Sequence, residues 1–206
     1  MTELPALPLF PLQTVLFPGG LLSLKVFEAR YLDLVSRCLR ENTAFGVVCL
    51  NQGSDLRQTG NERVRFEPVG VLATLQSVDA EQPGILRVRC LGGQRFRAGT
   101  PREQSDGLWM ADVRVIDADA PLAPPPELSA TVVALSHAIE SLRAQGHVPF
   151  TEPFHMDDAG WVANRWCEIL PISLAAKQKL MELQEPALRL KLVDEFLRGK
   201  GVVQDR

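Results

Sequence analysis

Between Leu7 and Tyr31 the chain sets prolines and glycines into an otherwise strand-forming stretch: Leu7-Pro8-Leu9-Phe10-Pro11-Leu12, then Phe17-Pro18-Gly19-Gly20, then Val26-Phe27-Glu28-Ala29-Arg30-Tyr31. Proline has a fixed φ and no amide hydrogen. Pro8 and Pro11 are therefore expected at strand ends, edges or bends, and not inside a central strand. Gly19 or Gly20 can take the positive φ that a side chain would resist at a turn. Glu28 sits where a helix begins and faces the positive end of its dipole, and Arg30 is placed to pair with it or to reach a neighbouring loop. These are architectural roles.

The rest of the first part reads as strands around one helix. Glu28 to Glu41 has the helical period, with Tyr31, Val35, Cys38 and Leu39 on one stripe, broken at Asn42-Thr43. Ala44 to Leu50 and Val69 to Leu75 are short apolar runs that suit buried strands, and the polar stretch Asn51 to Glu62 between them reads as a loop. After a turn at Gln82-Pro83-Gly84, Ile85 to Cys90 and Gln94 to Ala98 alternate as half-buried strands, with Gly92-Gly93 expected to supply a hairpin between them. Leu108 to Ile116 closes the set, with Trp109, Ala111, Val113 and Val115 on one face. Short strands at this spacing predict a closed or partly closed barrel.

Pro121, Pro124, Pro125 and Pro126 interrupt the pattern, and three successive prolines forbid a helix across them. The boundary between a barrel subdomain (1–120) and a helical subdomain (121–206) is placed here. Leu128, Val132, Leu135, Ile139 and Leu142 form a helical core stripe that Gly146 can end. Asp157 or Asp158 can cap a second helix through Trp161, Arg165 and Ile169, which stops at Pro171. Ser173 can cap a third, Leu174 to Leu183, and Pro186 can open a fourth running to Gly199. The fold class is α+β: a barrel with one helix, followed by a small all-helical bundle, without internal repeats.

A chain of 206 residues with 46% hydrophobic content can bury a core as one large or two small domains. Residues 1–120 hold 13 basic and 14 acidic residues and 121–206 hold 9 and 11, so neither part carries a basic arm or an acidic tail. Cys38, Cys49, Cys90 and Cys167 lack disulfide-framework or zinc spacing, and read as free, mostly buried thiols in a reducing compartment. The amino terminus has no secretory pattern, and no window approaches a membrane span. A cytoplasmic, membrane-free protein is expected. No Walker A loop is present, His137, His147 and His155 are scattered, and Ser173 with Lys177 is better explained as a helix start than as a Ser–Lys dyad. The aspartates of His155-Met156-Asp157-Asp158 read as helix caps before metal ligands. No cofactor, metal or catalytic group is predicted.

These motifs together resemble the amino-terminal substrate-binding domain of Lon proteases. The proline–glycine signature is the strongest part. Val69-Gly70-Val71-Leu72-Ala73-Thr74-Leu75 resembles the family's V-G-T-x-A strand, with Val71 where threonine is common. Gly93-Gln94-Arg95-Phe96-Arg97 resembles its G-x-x-R-F-x element. Leu170-Pro171-Ile172-Ser173, Lys177 to Glu182 and Arg189-Leu190 resemble its carboxyl-terminal L-P-x, K-Q-x-L-L-E and R-L patterns. The resemblance spans roughly residues 7 to 198 and implies a PUA-like barrel or pseudobarrel.

It also implies a non-enzymatic module that binds unfolded or client polypeptides as an adaptor, alongside a separate protease or chaperone. Capture of that kind needs exposed apolar side chains. The candidates are Phe17, Leu21 and Leu22, and Phe150 and Phe154 in the segment that starts at Val148-Pro149. The alternative is RNA or other nucleic-acid binding, since some PUA-like barrels bind RNA. Seven arginines (63, 65, 87, 89, 95, 97 and 102) face three acids (67, 79 and 81) between Arg63 and Arg102. Arg87 with Arg89, and Arg95 with Arg97, are expected to share a strand face pairwise and to offer phosphate contacts. The acidic total and the missing aromatic–basic interleave weigh against that alternative.

Overall fold

A computed structural model describes residues 2–50 and 65–203; the expected loop at Asn51 to Glu62 and Arg63 lie outside the described residues. The chain divides into two compact units, Met1–Ala118 and Asp119–Arg206.

The first unit holds seven strands and a helix: β1 (Glu3–Leu12), β2 (Leu21–Val26), α1 (Ala29–Glu41), β3 (Phe45–Cys49), β4 (Val69–Gln82), β5 (Ile85–Ala98), β6 (Arg102–Glu103) and β7 (Trp109–Val115). The order across the sheet is β2-β5-β4-β3-β1-β7-β6, and an additional β5–β7 pairing joins strands β5, β4, β3, β1 and β7 into a barrel-like ring. Leu7, Leu9, Val48, Phe96, Ala111 and Val113 form its buried core. Tyr31 of α1 stacks on Phe10 of β1 with ring centroids 3.9 Å apart, which anchors the helix to the sheet.

Three local expectations change. Pro8 and Pro11 lie in β1, which stands between β3 and β7 in the sheet order. The strand tolerates them because it exchanges partners along its length: Glu3 to Leu9 pair with β7, and Leu9 to Leu12 pair with β3. Each half therefore has one open side, where a missing amide costs no ladder bond. Leu39 is 61% exposed, and the buried face of α1 is Tyr31, Leu34, Val35 and Cys38 instead. Gly92-Gly93 is not a hairpin but the middle of one continuous strand. There β5 leaves β2, its partner over Leu86 to Leu91, and joins β7 over Phe96 to Ala98.

The reason for glycine at 92 is a close approach. A Cβ there would collide with the carbonyl oxygen of Phe17, and the loop before β2 is held against it by Gly19 N–H donating to Gly92 O and Gly92 N–H donating to Gly20 O, both 2.8 Å. Gly84, at φ +78°, is the true turn glycine, closing β4 onto β5.

The second unit begins with a 3₁₀ turn (Pro126–Leu128), followed by α2 (Ser129–Ala144), α3 (Ala159–Ile169), α4 (Leu174–Glu182) and α5 (Pro186–Gly199). Its punctuation is local. Asp158 caps α3 by accepting from Trp161 N–H, Ser173 caps α4 by accepting from Ala176 N–H, and Gly146 at φ +81° follows the end of α2. Thr131 of α2 donates to Asp194 of α5, and Trp166 of α3 donates to the Thr131 carbonyl, so a buried polar tie joins three helices.

Candidate polypeptide-binding surfaces

The segment between α2 and α3 folds back on Trp161, the third residue of α3. The Asp158 cap bond of 2.7 Å fixes the first turn and so the half-buried indole. Phe154 packs on it at 5.8 Å between centroids, Phe150 at 6.2 Å edge-on, and His155 at 6.2 Å edge-on. Two arginines complete the cluster. Arg143 of α2 lies 4.7 Å from the Phe154 ring centre and pairs with Glu152. Arg165 lies 5.5 Å from Phe150 and 5.7 Å from Trp161.

Within this cluster the predicted contacts separate. Phe150 is 2% exposed and belongs to the core, so its candidacy as a surface contact is withdrawn. Phe154 is half-buried with a free rim, and Val148 in the same segment is 65% exposed. Arg165 is buried and pairs at 2.6 Å with Glu168, whose backbone carbonyl accepts from Lys177 Nζ at 2.9 Å. Burial pushes the Glu168 carboxyl up to about 7, against the pull of Arg165 and Lys177. A carboxyl raised in the folded state holds its proton while the unfolded chain has lost it. The stability it contributes is thus present below about pH 4.5 and lost as pH rises to about 7. Replacing Glu168 by Gln should flatten a loss of about 3 kcal/mol across that window in urea titrations at a series of pH values; an unchanged profile would count against it.

The candidates of the barrel unit also separate. Phe17 is fully buried, and its carbonyl accepts from Gly20 N–H and lies close to Gly92. It too is withdrawn as a surface contact. Leu21 and Leu22 are half-buried on β2, opposite Leu91 and Cys90.

The arginine face is not the strip its alternation predicts. Arg87 is exposed and 3.5 Å from Glu81, which also takes Lys25 at 3.4 Å. Arg89 is exposed between Ser23 and Ser77. Arg95 is 2% exposed, so Arg95 and Arg97 do not make an exposed pair that could contact phosphate. The pairing of Arg95 to Arg97 with β4 is regular (Val71, Gly70 and Val69 in turn), so the two differ in burial and not in strand parity. Arg97 remains exposed.

Chemistry elsewhere is quiet. All four cysteines are free and buried, and burial raises their thiols, those of Cys90 and Cys167 to about 12, which keeps them protonated and unreactive. Ser173 Oγ accepts from Ala176 N–H while Lys177 Nζ turns to Glu168 O, so the two do not form a dyad. Among the described residues, no group of three or more His, Cys, Asp or Glu is placed to hold a metal ion, and no helix is long and apolar enough to cross a membrane.

Sequence reasoning missed Trp161, Arg143 and Arg114 as surface residues. Arg114 was open to it, since the alternation that buries Val113 and Val115 turns Asp112 and Arg114 outward. Arg143 and Trp161 carried no local signal, because their meeting depends on how the segment after α2 folds back.

Comparisons with known proteins agree with this fold. A family model described as the ATP-dependent protease La (LON) substrate-binding domain matches residues 6–199. The Lon N-terminal domain protein from Xanthomonas campestris superimposes with a TM-score of 0.74 at 30% identity, covering 94% of this chain and 97% of that one. The N-terminal domain of Lon protease from the Mycobacterium avium complex superimposes with a TM-score of 0.61 at 15% identity, covering 94% and 98%, a likeness of fold alone. Protein cereblon from Gallus gallus is 28% identical over 114 residues, which is 53% of this chain and 24% of that protein's length.

Proposed function

The chain belongs to the family of ATP-dependent protease La (LON) substrate-binding domains, and on that premise we propose that it is a non-catalytic cytoplasmic module that recognises unfolded or client polypeptides, working with a separate protease or chaperone. One observation carries the reading beyond the family. Of the eight large apolar residues exposed among the described residues, two (Phe27 and Leu39) lie in the barrel unit and six (Leu122, Val133, Val148, Leu188, Leu192 and Val202) in the helical unit. Exposed apolar surface is what an unfolded chain seeks. Val148 offers it in the segment after α2, and the rim of Phe154 on Trp161 offers it beside Arg143.

The expected result is measurable binding of a reduced, alkylated unfolded polypeptide, weakened roughly tenfold by the double substitution Val148→Asp and Phe154→Asp with circular dichroism unchanged; a tenfold change corresponds to about 1.4 kcal/mol. Fluorescence anisotropy reads it. Wild-type binding no stronger than that of an unrelated domain of similar charge would sink the proposal. The nucleic-acid reading loses support from the burial of Arg95 and from the pairing of Arg87 with Glu81.

A further inference from the structure

On the outside of the barrel unit, Arg97 of β5 stands directly opposite Arg114 of β7. Like charges in that relation repel. Arg114 is partly compensated by its other neighbour, Glu3 of β1, 3.6 Å away. The other cross-strand neighbour of Arg97 is Val69, so no acid flanks it in the sheet.

The second carboxylate of this face is already committed. Asp112 accepts from Ala6 N–H at 2.8 Å and pairs with Arg102 at 3.4 Å. Those bonds, the backbone one foremost, hold it below the usual carboxylate range. Three arginines (97, 102 and 114) thus meet two engaged acids. Beside them runs an open groove of about 610 Å³, floored in part by Leu4, Pro5 and Ala98. It lies where β1 is bulged between Leu4 and Leu7 around Ala6 at φ +50°.

We infer that this groove binds an extended acidic polypeptide segment, with one carboxylate seated between Arg97 and Arg114 and the neighbouring apolar side chains lying on Leu4, Pro5 and Ala98. The inference rests on the polypeptide-recognition reading above and adds to it a second contact, on the barrel unit, for segments that alternate acidic and apolar residues. Two arginines at directly opposite cross-strand positions on an exposed face suit a carboxylate placed between them. The floor is aliphatic and offers no aromatic platform for a base to stack on, which separates it from single-strand nucleic-acid grooves.

The test uses the whole chain and four labelled probes: an alternating Leu-Glu peptide, its Leu-Gln and Leu-Lys counterparts, and an oligouridine. The Leu-Glu peptide should bind and weaken as ionic strength rises. Arg97→Glu should lower its affinity roughly tenfold while strengthening the Leu-Lys peptide. Arg97 is exposed, so the variant should keep the wild-type circular dichroism.

Equal binding of the Leu-Glu and Leu-Gln peptides, or indifference to Arg97→Glu, overturns the inference; undiminished capture of the reduced, alkylated polypeptide in the same assay then leaves the broader function standing. Oligouridine binding that Arg97→Glu abolishes, without binding of the acidic peptide, overturns it in favour of phosphate. If no polypeptide of any charge binds, both readings fall together.

Discussion

Replacing Gly70 by Ala should destabilise the barrel unit by about 3 kcal/mol or more, near the upper end of what overpacking costs. A Cβ at Gly70 would run into the carbonyl oxygen of Val47 and lie 2.6 Å from Phe96 Cζ and 2.8 Å from Val48 Cγ1. Phe96 cannot retreat easily. The same ring atom would be 2.6 Å from a Cβ at Gly46, so Phe96 fills the space that two glycines on neighbouring strands leave open. The Val47 oxygen is backbone in a fully buried strand and cannot yield without moving β3. Adding Phe96→Leu to Gly70→Ala should therefore restore only part of the loss.

Gly84→Ala is the contrast. It sits at φ +78° with nothing within 4 Å of its added carbon, so it should cost only the left-handed backbone penalty of about 1 kcal/mol. Urea titration of the three variants checks the order. If Gly70→Ala costs no more than Gly84→Ala, the close-packing account is wrong.

The second large effect is expected at Arg189, whose side chain is fully buried in the helical unit. Its Nη1 donates to Asp119 at 2.8 Å and to Asn164 at 2.9 Å, its Nε donates to the Leu180 carbonyl at 3.0 Å, and its Nη2 donates to the Leu183 carbonyl. One guanidinium therefore ties the approach to the bundle, α3, and the end of α4 to α5. Arg189→Leu removes a buried charge and its four hydrogen bonds, one of them to a carboxylate with only 15% side-chain exposure, so a loss of roughly 3–5 kcal/mol is expected.

Arg189→Lys keeps the charge but not the planar fork, and should recover less than half of that. Arg143→Ala, which removes an exposed pair with Glu152, should cost under about 1 kcal/mol. Denaturation followed by tryptophan fluorescence orders the three; a Leu variant within 1 kcal/mol of wild type would refute the role.

Local signals were legible to the extent that their physics is local. The cap at Ser173, the stop at Gly146 and the turn at Gly84 each involve atoms within a few residues, and the sequence placed them; it narrowed the cap of α3 to Asp157 or Asp158, and Asp158 makes the bond. The Glu28–Arg30 pair was also readable: Arg30 bonds Glu28 at 2.7 Å and the Gly107 carbonyl at 2.7 Å, which satisfies both expected roles at once. Gly92-Gly93 was misread because a hairpin turn and a close approach leave the same trace in sequence. What decides between them is the Phe17 carbonyl, which only the folded ring brings there. Arg189 carried a family pattern but no sign of its four partners, which come from three different places along the chain.

The amino-acid sequence by itself determined the family, the order of strands and helices, and most element ends, because periodicity, capping and turn chemistry act over a few residues. Tertiary structure alone decided which side chains meet solvent. Alternation sets the parity of a strand but not which side becomes the interior, and a register shift can break the parity. Ring closure through β5 and β7 set Arg97 beside Arg114 on the surface, while Phe17 and Arg95 are buried. Folding of the segment after α2 onto Trp161 likewise buried Phe150 and left Phe154 at the rim. Those outcomes depend on pairings between distant segments, whose energies are fixed only once the partners are in place.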